Sequence, residues 1–321
     1  MLRPLLASFH PSIFVTTSLF PVFRASFIMT TPQATEIPTE HTRGPTDEEL
    51  DIFGLTHTGK VRKSNQDHFL IASLRRQVEI HLTSLPADTH WPPAKRLAFM
   101  AMVADGVGST ESGEEASRLA VERVTEYVAH CIRAYHTAEG DKDAAFSDAL
   151  ADAAMQVHAA IIEHAHDPEA QRRMATTLTL WIGIWPRAYL LQVGDSRCYI
   201  LRDDKLMQIS RDQTMAQELI DQGILNRTDA PRTRWANVLS SAIGGHAAAP
   251  VVTQMDQFWG QVGLLCSDGL FKHVSDERIA ERLRTMTSAR QVCEDLLNDA
   301  LEDGGTDNIT ILVGRTAKKA G

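Results

Sequence analysis

Five aspartates stand where short apolar runs of this chain begin or end. Asp105 follows Met-Val-Ala and precedes Gly106, Asp195 follows Leu-Leu-Gln-Val-Gly, and Asp268 follows Leu-Leu-Cys-Ser and precedes Gly269. Asp307 precedes Asn308 and the run Asn-Ile-Thr-Ile-Leu-Val-Gly, and Asp67 opens Asp-His-Phe-Leu-Ile-Ala. A single aspartate at a strand end is ordinarily a turn former bonded to its own backbone. Five of them, three beside glycine, imply more, because glycine lets the chain turn sharply and leaves a main-chain carbonyl free to approach a ligand. Carboxylates gathered in one crevice repel one another, so something positive must sit among them. Oxygen donors without His or Cys select a hard divalent cation, Mg2+ or Mn2+.

The elements that must position these residues follow from periodicity. Short apolar or alternating runs predict strands near 51–57, 66–73, 78–83 and 97–104. Over 113–135, Ala116, Leu119, Val124, Tyr127, Val128, Cys131 and Tyr135 recur at three- and four-residue steps and predict a helix. Phe146, Leu150, Ala153, Val157 and Ile161 predict a second over 143–165. A strand-rich block follows at 176–184, 188–193, 198–202 and 205–210, then a short helix and polar loop over 213–235. Strands are expected at 250–256 and 261–266, two helices over 275–301, and a closing strand at 308–314. With no repeat and no linker after residue 50, these elements read as one α+β domain over 50–316, followed by a short tail at 317–321. Residues 1–49 read as an extension outside it. Residues 30–49 are polar and proline-rich, with too little apolar surface to order themselves, and the functional chain is expected to start at Met29, with 1–28 mis-assigned or cleaved.

Composition narrows the chemistry. At 43% hydrophobic and 23% charged the chain is globular, and its formal charge of −9 argues against a phosphate-backbone partner, so no nucleic acid is expected. The N-terminal 29 residues are apolar but broken by Pro4, His10, Pro11, Pro21 and Arg24, too short a run to span a membrane. Cys131, Cys198, Cys266 and Cys293 lie far apart, and the first three sit in apolar runs, which suits buried thiols in a reducing, cytoplasmic compartment. Gly54 to Lys60 matches most of a phosphate-binding loop, but Val61 replaces the required Ser or Thr. Ser196 lacks the setting of a nucleophile elbow, and the thirteen histidines include no zinc motif. His158, His164 and His166 read as a solvated helix face, and Trp181, Trp185, Trp235 and Trp259 as packing.

Six segments in order carry a family resemblance: Arg62-Lys63-Ser64-Asn65-Gln66-Asp67, Val103-Ala104-Asp105-Gly106-Val107-Gly108, Met174-Ala175-Thr176-Thr177, Gly194-Asp195-Ser196-Arg197, Ser267-Asp268-Gly269 and Gly305-Thr306-Asp307-Asn308-Ile309-Thr310. Together they resemble the motif series of metal-dependent serine/threonine phosphatases of the protein phosphatase 2C type, most of all its bacterial branch. The resemblance implies a four-layer αββα sandwich, two antiparallel sheets flanked by helix pairs, with two Mn2+ or Mg2+ ions at one end. It implies that Asp105 bridges both ions, that the Gly106 carbonyl completes the second site, that Asp268 and Asp307 hold the first ion, and that Asp195 serves a third, weaker site. Asp67 would orient water beside the ions, with Gln66 and Asn308 around it, and Arg62 would grip the substrate phosphate with its planar fork. Two cations sharing a water favour hydroxide at neutral pH and stabilise charge on the phosphoryl oxygens.

Two departures stand out. Relatives often carry Glu where this chain has Gln66, which implies weaker second-metal binding. Some place His at the position of Val107 as a general acid, so here the leaving group must be protonated by another donor. Residues 212–240 correspond to a flap beside the site, in which Arg227, Arg232 and Arg234 are candidates for placing phosphopeptides. The resemblance implies phosphoprotein substrates, an opposing Ser/Thr kinase and a monomer. Two other readings stay open: a catalytically weak regulatory or binding module, and a hydrolase of small phosphate esters.

Overall fold

Strand pairing in the computed structural model, described for residues 43–76, 94–108, 111–165 and 174–317, produces two five-stranded antiparallel sheets. The strands are β1 (Leu50–His57), β2 (Asp67–Arg76), β3 (Lys95–Asp105), β4 (Leu178–Ile184), β5 (Arg187–Val193), β6 (Arg197–Arg202), β7 (Lys205–Gln208), β8 (Val251–Asp256), β9 (Val262–Cys266) and β10 (Ile309–Thr316). One sheet has the order β1-β10-β9-β6-β7 and the other β2-β3-β4-β5-β8. The chain passes from the second sheet to the first at Gly194–Ser196, directly after β5.

Both faces of each sheet are covered, and the strand sequences show why. Along β3 the side chains alternate between layers: Met100 and Met102 pack beneath helices, while Ala101 and Val103 face the other sheet. Helices α1 (Glu111–Tyr135) and α2 (Lys142–His164) cover the first of these faces through Val124, Val128, Ile132, Leu150, Val157 and Ile161. Between the sheets lie Val103, Leu190, Cys198, Leu265 and Leu312. Past the crossover come α3 (Met215–Asp221), α4 (Asp268–Phe271), α5 (Asp276–Arg284) and α6 (Ala289–Glu302). Ile279, Leu283, Val292 and Leu296 of α5 and α6 pack on Leu264, Ile311 and Val313, completing four layers. Burial of each such side chain contributes about 1.5–3 kcal/mol, so the three apolar layers fix the positions of the strand ends.

Helix starts follow the capping rules. Ser275 and Ser288 accept hydrogen bonds from Arg278 N and Gln291 N at 3.3 and 3.1 Å, and Asp141 and Thr214 cap α2 and α3 in the same way. Such caps contribute about 1 kcal/mol each.

Several expectations change. Residues 43–49, read as tail, pack on the domain: Arg43 forks onto Glu49 at 2.6 and 2.7 Å, and Asp47 receives Arg75 and Arg96 at 2.7 Å each. The composition of this segment is polar, but its partners are charged groups of the sheet edge rather than a core of its own. The turn α4 lies between two predicted elements and is too short to show a period. Cys293 is buried and Cys131 only half-buried, the reverse of what their flanking residues suggest. His158 is more than a solvated group, since its Nδ1 accepts from Gly244 N at 3.0 Å. The strand expected at 78–83, His166 and the proposed start at Met29 lie outside the described residues. Among the described residues no helix is long and apolar enough to cross a membrane.

Candidate functional site

All five aspartates lie at one end of the sandwich because that is where their strands terminate. Asp67 opens β2 and Asp105 closes β3, and the register makes them direct cross-strand partners. Like charges facing each other in this way cost stability unless something offsets them. Asp195 sits at the crossover between sheets, Asp268 just after β9 and Asp307 just before β10. Ser267 N donates to the Thr310 carbonyl at 3.1 Å, which keeps the last two together.

Local hydrogen bonds fix each position. The Thr176-Thr177 pair clamps the Asp105 backbone: Asp105 N donates to Thr177 Oγ1 at 3.0 Å, while Thr177 N and Thr176 Oγ1 donate to its carbonyl, each at 2.9 Å. Asp67 Oδ2 accepts from the Ser267 and Thr310 hydroxyls, both at 2.7 Å. Asn308 donates from Nδ2 to the Thr58 and Ser64 carbonyls at 3.0 and 2.9 Å and accepts from Gln66 N at 2.8 Å. It thereby ties the loop that carries Arg62 to the start of β10. Close packing explains two glycines: a Cβ on Gly106 would lie 2.4 Å from the Gly113 carbonyl oxygen, and one on Gly269 would lie 2.0 Å from that of Asn308.

The electrostatics are those of an under-compensated cluster. Burial pushes Asp67 up to about 6, against the pull of its two hydroxyl donors. Burial, then the charges of Asp268 and Asp212, pushes Asp195 up to about 7. Asp105 lies well above the ordinary carboxylate range, through burial first and then its neighbours Asp67, Asp268, Asp195 and Asp307. Asp268 is also raised by burial, opposed by Lys272. Two buried carboxylate oxygens, Asp67 Oδ1 and Asp268 Oδ1, have no hydrogen-bond partner. Orphaned anionic oxygens of this kind fit a hard cation, and the donor set of carboxylates with a nearby main-chain carbonyl at Gly106 is the oxygen-only chemistry that Mg2+ or Mn2+ accepts. Among the described residues no three His, Cys, Asp or Glu side chains converge closely enough to hold an ion together. Asp268 and Asp307 are instead engaged by basic side chains.

Arg62 forks onto Asp307, with Nε to Oδ1 and an Nη to Oδ2, each at 2.8 Å. Lys272 contacts Asp268 Oδ2 and lies 3.5 Å from Asp307 Oδ2. Sequence reading missed Lys272, although its position four residues after Asp268 was the available signal: one helical turn places both on one face. Arg197, the last residue of Gly194-Asp195-Ser196-Arg197, points away from the cluster. It stacks 3.7 Å over the Phe271 ring and binds Asp212 at 3.0 and 2.7 Å. Gln66 is buried, and its carbonyl accepts from Gly106 N and Ser117 Oγ at 3.2 and 2.6 Å. Its amide lies where a side chain on Gly113 would stand. Val107 is exposed. In the flap, Arg227, Arg232 and Arg234 are exposed, the last 4.3 Å over the ring of Trp235.

A two-sheet sandwich with a carboxylate cluster at one end defines a class, and sequence comparison agrees with it. The family described as Protein phosphatase 2C matches residues 88–304, and the chain belongs to that family. It is 36% identical over 232 residues to the serine/threonine protein phosphatase PstP of Mycobacterium tuberculosis, a match spanning 70% of this chain and 41% of that protein. The chain thus spans less than half the length of that mycobacterial relative. It is 30% identical over 213 residues to the serine/threonine phosphatase stp of Listeria innocua, covering 66% of this chain and 82% of the relative. The crystal structure of the catalytic domain of PstP in complex with two manganese ions superposes with a TM-score of 0.61 at 29% identity, over 84% of this chain and 99% of that one.

Proposed function

We propose that this chain is a metal-dependent phosphatase that hydrolyses phosphoserine and phosphothreonine on proteins, opposing a Ser/Thr kinase in the cytoplasm and acting as a monomer. The observation that carries the proposal is the set of five aspartates at one end of the sandwich with two buried oxygens left unpartnered. Asp105, the Gly106 carbonyl, Asp268 and Asp307 would hold Mn2+ or Mg2+, with Asp195 at a weaker third site. Once bound, such ions supply a water ionised near neutral pH and offset charge on the phosphoryl group.

Asp67 keeps Oδ2 occupied by Ser267 and Thr310, which leaves Oδ1 as a fixed acceptor able to orient a water. Arg62 is held in the cluster by Asp307 and is placed to transfer its fork to a phosphate, which offers the same bidentate geometry as a carboxylate. The thiols are poor candidates for a covalent route. Burial pushes Cys198 and Cys293 up to about 12, so neither is a thiolate at neutral pH. Four free cysteines suit a reducing compartment.

Phosphate release from a phosphothreonine peptide, measured with Mn2+, Mg2+ or EDTA, tests the reading. Turnover that needs the metal supports it. A folded protein that releases no phosphate with either ion overturns it in favour of a binding module, and turnover of aryl phosphate alone favours a small-ester hydrolase.

A further inference from the structure

We infer that Lys272 is an internal counter-ion of the carboxylate cluster, holding Asp268 and Asp307 in the metal-free protein and giving way when a divalent cation binds, so that it sets the metal affinity of the site. The inference rests on the metal reading proposed above. Its ground is the placement of the ammonium, in contact with Asp268 Oδ2 and 3.5 Å from Asp307 Oδ2, on a side chain only 28% exposed. That placement is built in. Lys272 ends the turn α4, its backbone N–H donates to the Asp268 carbonyl at 3.0 Å, and Leu270 anchors the same turn in the core. The two side chains therefore leave one short, fixed turn toward the same point.

Charge explains why the contact matters. Asp67, Asp105, Asp195, Asp268 and Asp307 act on one another, and the basic side chains engaging the last two are Lys272 and Arg62. Arg62 already engages both oxygens of Asp307, to which Lys272 is the more distant cation. Lys272 is thus the cation on Asp268, and a metal ion seeking that carboxylate competes with it. A ligand that binds only the fraction of molecules with the lysine displaced has its apparent affinity reduced by that fraction. The same ammonium stabilises the protein while metal is absent. Lys272 is a positioning residue in this scheme, with no contact to reacting atoms.

Calorimetric titration of the metal-stripped full chain with Mn2+ tests this, alongside thermal melts without metal, for the native protein, Lys272→Met, Lys272→Gln, Lys272→Arg and Asp268→Asn. Both neutral variants are expected to bind Mn2+ about tenfold more tightly and to melt at lower temperature when metal-free. Lys272→Arg keeps the charge and should bind within about threefold of the native protein. Neutral variants that melt cooperatively and bind Mn2+ no more tightly than the native protein overturn the inference while leaving the metal site intact. Absence of Mn2+ binding in the native protein and in every variant overturns the metal reading and the inference with it. Weakened binding in Asp268→Asn alone shows which carboxylate the two cations share, and unchanged binding there removes Asp268 from the competition and overturns the inference.

Discussion

Asp299 and Asp105 carry the same side chain in two opposite settings. Asp299, on α6, accepts from two arginines of α5, from Arg278 at 3.0 and 3.1 Å and from Arg282 twice at 2.8 Å, and these donors hold it down to about 2. Asp105 faces Asp67 across a strand pair, close to three more carboxylates, and lies well above the usual range. Charge at the first site is matched within the chain, so it joins two helices and asks for nothing else. At the second it is left in excess, and that excess sets the cluster apart from a joint and underlies the metal site proposed for it. The distinction lies in the count and burial of the surrounding charges, not in the aspartate.

Removing the two side chains should therefore have opposite consequences. Asp105→Asn is expected to lower metal-dependent phosphate release by about a thousandfold or more, while the metal-free protein melts no lower than the native one because a repelling charge is gone. A metal-free melt well below native would break the contrast. Asp299→Ala should leave turnover within about twofold and cost about 1 kcal/mol of stability, the range for a partly exposed, screened network, measured by denaturant unfolding.

Acid should separate the same regions. Asp67 and Asp195, raised from 3.8 to about 6 and about 7, hold protons in the folded state that the unfolded chain releases. Their contribution to metal-free stability is full below about pH 4 and is lost as pH rises through 6 and 7. Asp299 works in the other direction: lowered from 3.8 to about 2, it stabilises above about pH 4, and that contribution is lost as pH falls through 2. Melting temperatures of metal-free native protein should thus fall between about pH 4 and 7, and a saturating divalent cation should remove most of the fall. A flat metal-free profile over this range would count against an under-compensated cluster.

Smaller effects sharpen the comparison. Gln66→Glu adds a charge next to the cluster and should lower the Mn2+ concentration for half-maximal turnover by a few fold, on the order of 1 kcal/mol; an unchanged concentration dependence would show that Gln66 acts only through its packing against Gly113. Replacing Arg227, Arg232 and Arg234 together by Ala should raise KM for a phosphoprotein about threefold and leave an aryl phosphate unaffected. Equal effects on both substrates would make the flap arginines a solvated surface.

Much of this molecule is legible in its sequence because much of it is local. The periods of α1 and α2, the alternation of β4, the aspartates at strand ends and the oxygen-only character of the donors all depend on residues within a few positions of one another. The segment 43–49 was not legible, because its order comes from Arg75 and Arg96 of the sheet edge, residues distant in the chain. Nor was the part played by Thr176 and Thr177, whose bonds to Asp105 span more than seventy residues.

By itself, then, the sequence determined which carboxylates exist, which elements end in them and what kind of cation their oxygens would accept. Only the tertiary structure decided that Asp67 faces Asp105, that Ser267 and Thr310 occupy one oxygen of Asp67 from 200 and 243 residues away, and that Arg62 and Lys272 stand on Asp307 and Asp268. The physical reason is that residue type and spacing fix chemistry and local conformation, whereas the charge balance of a buried site is a sum over side chains brought together by strand pairing and layer packing.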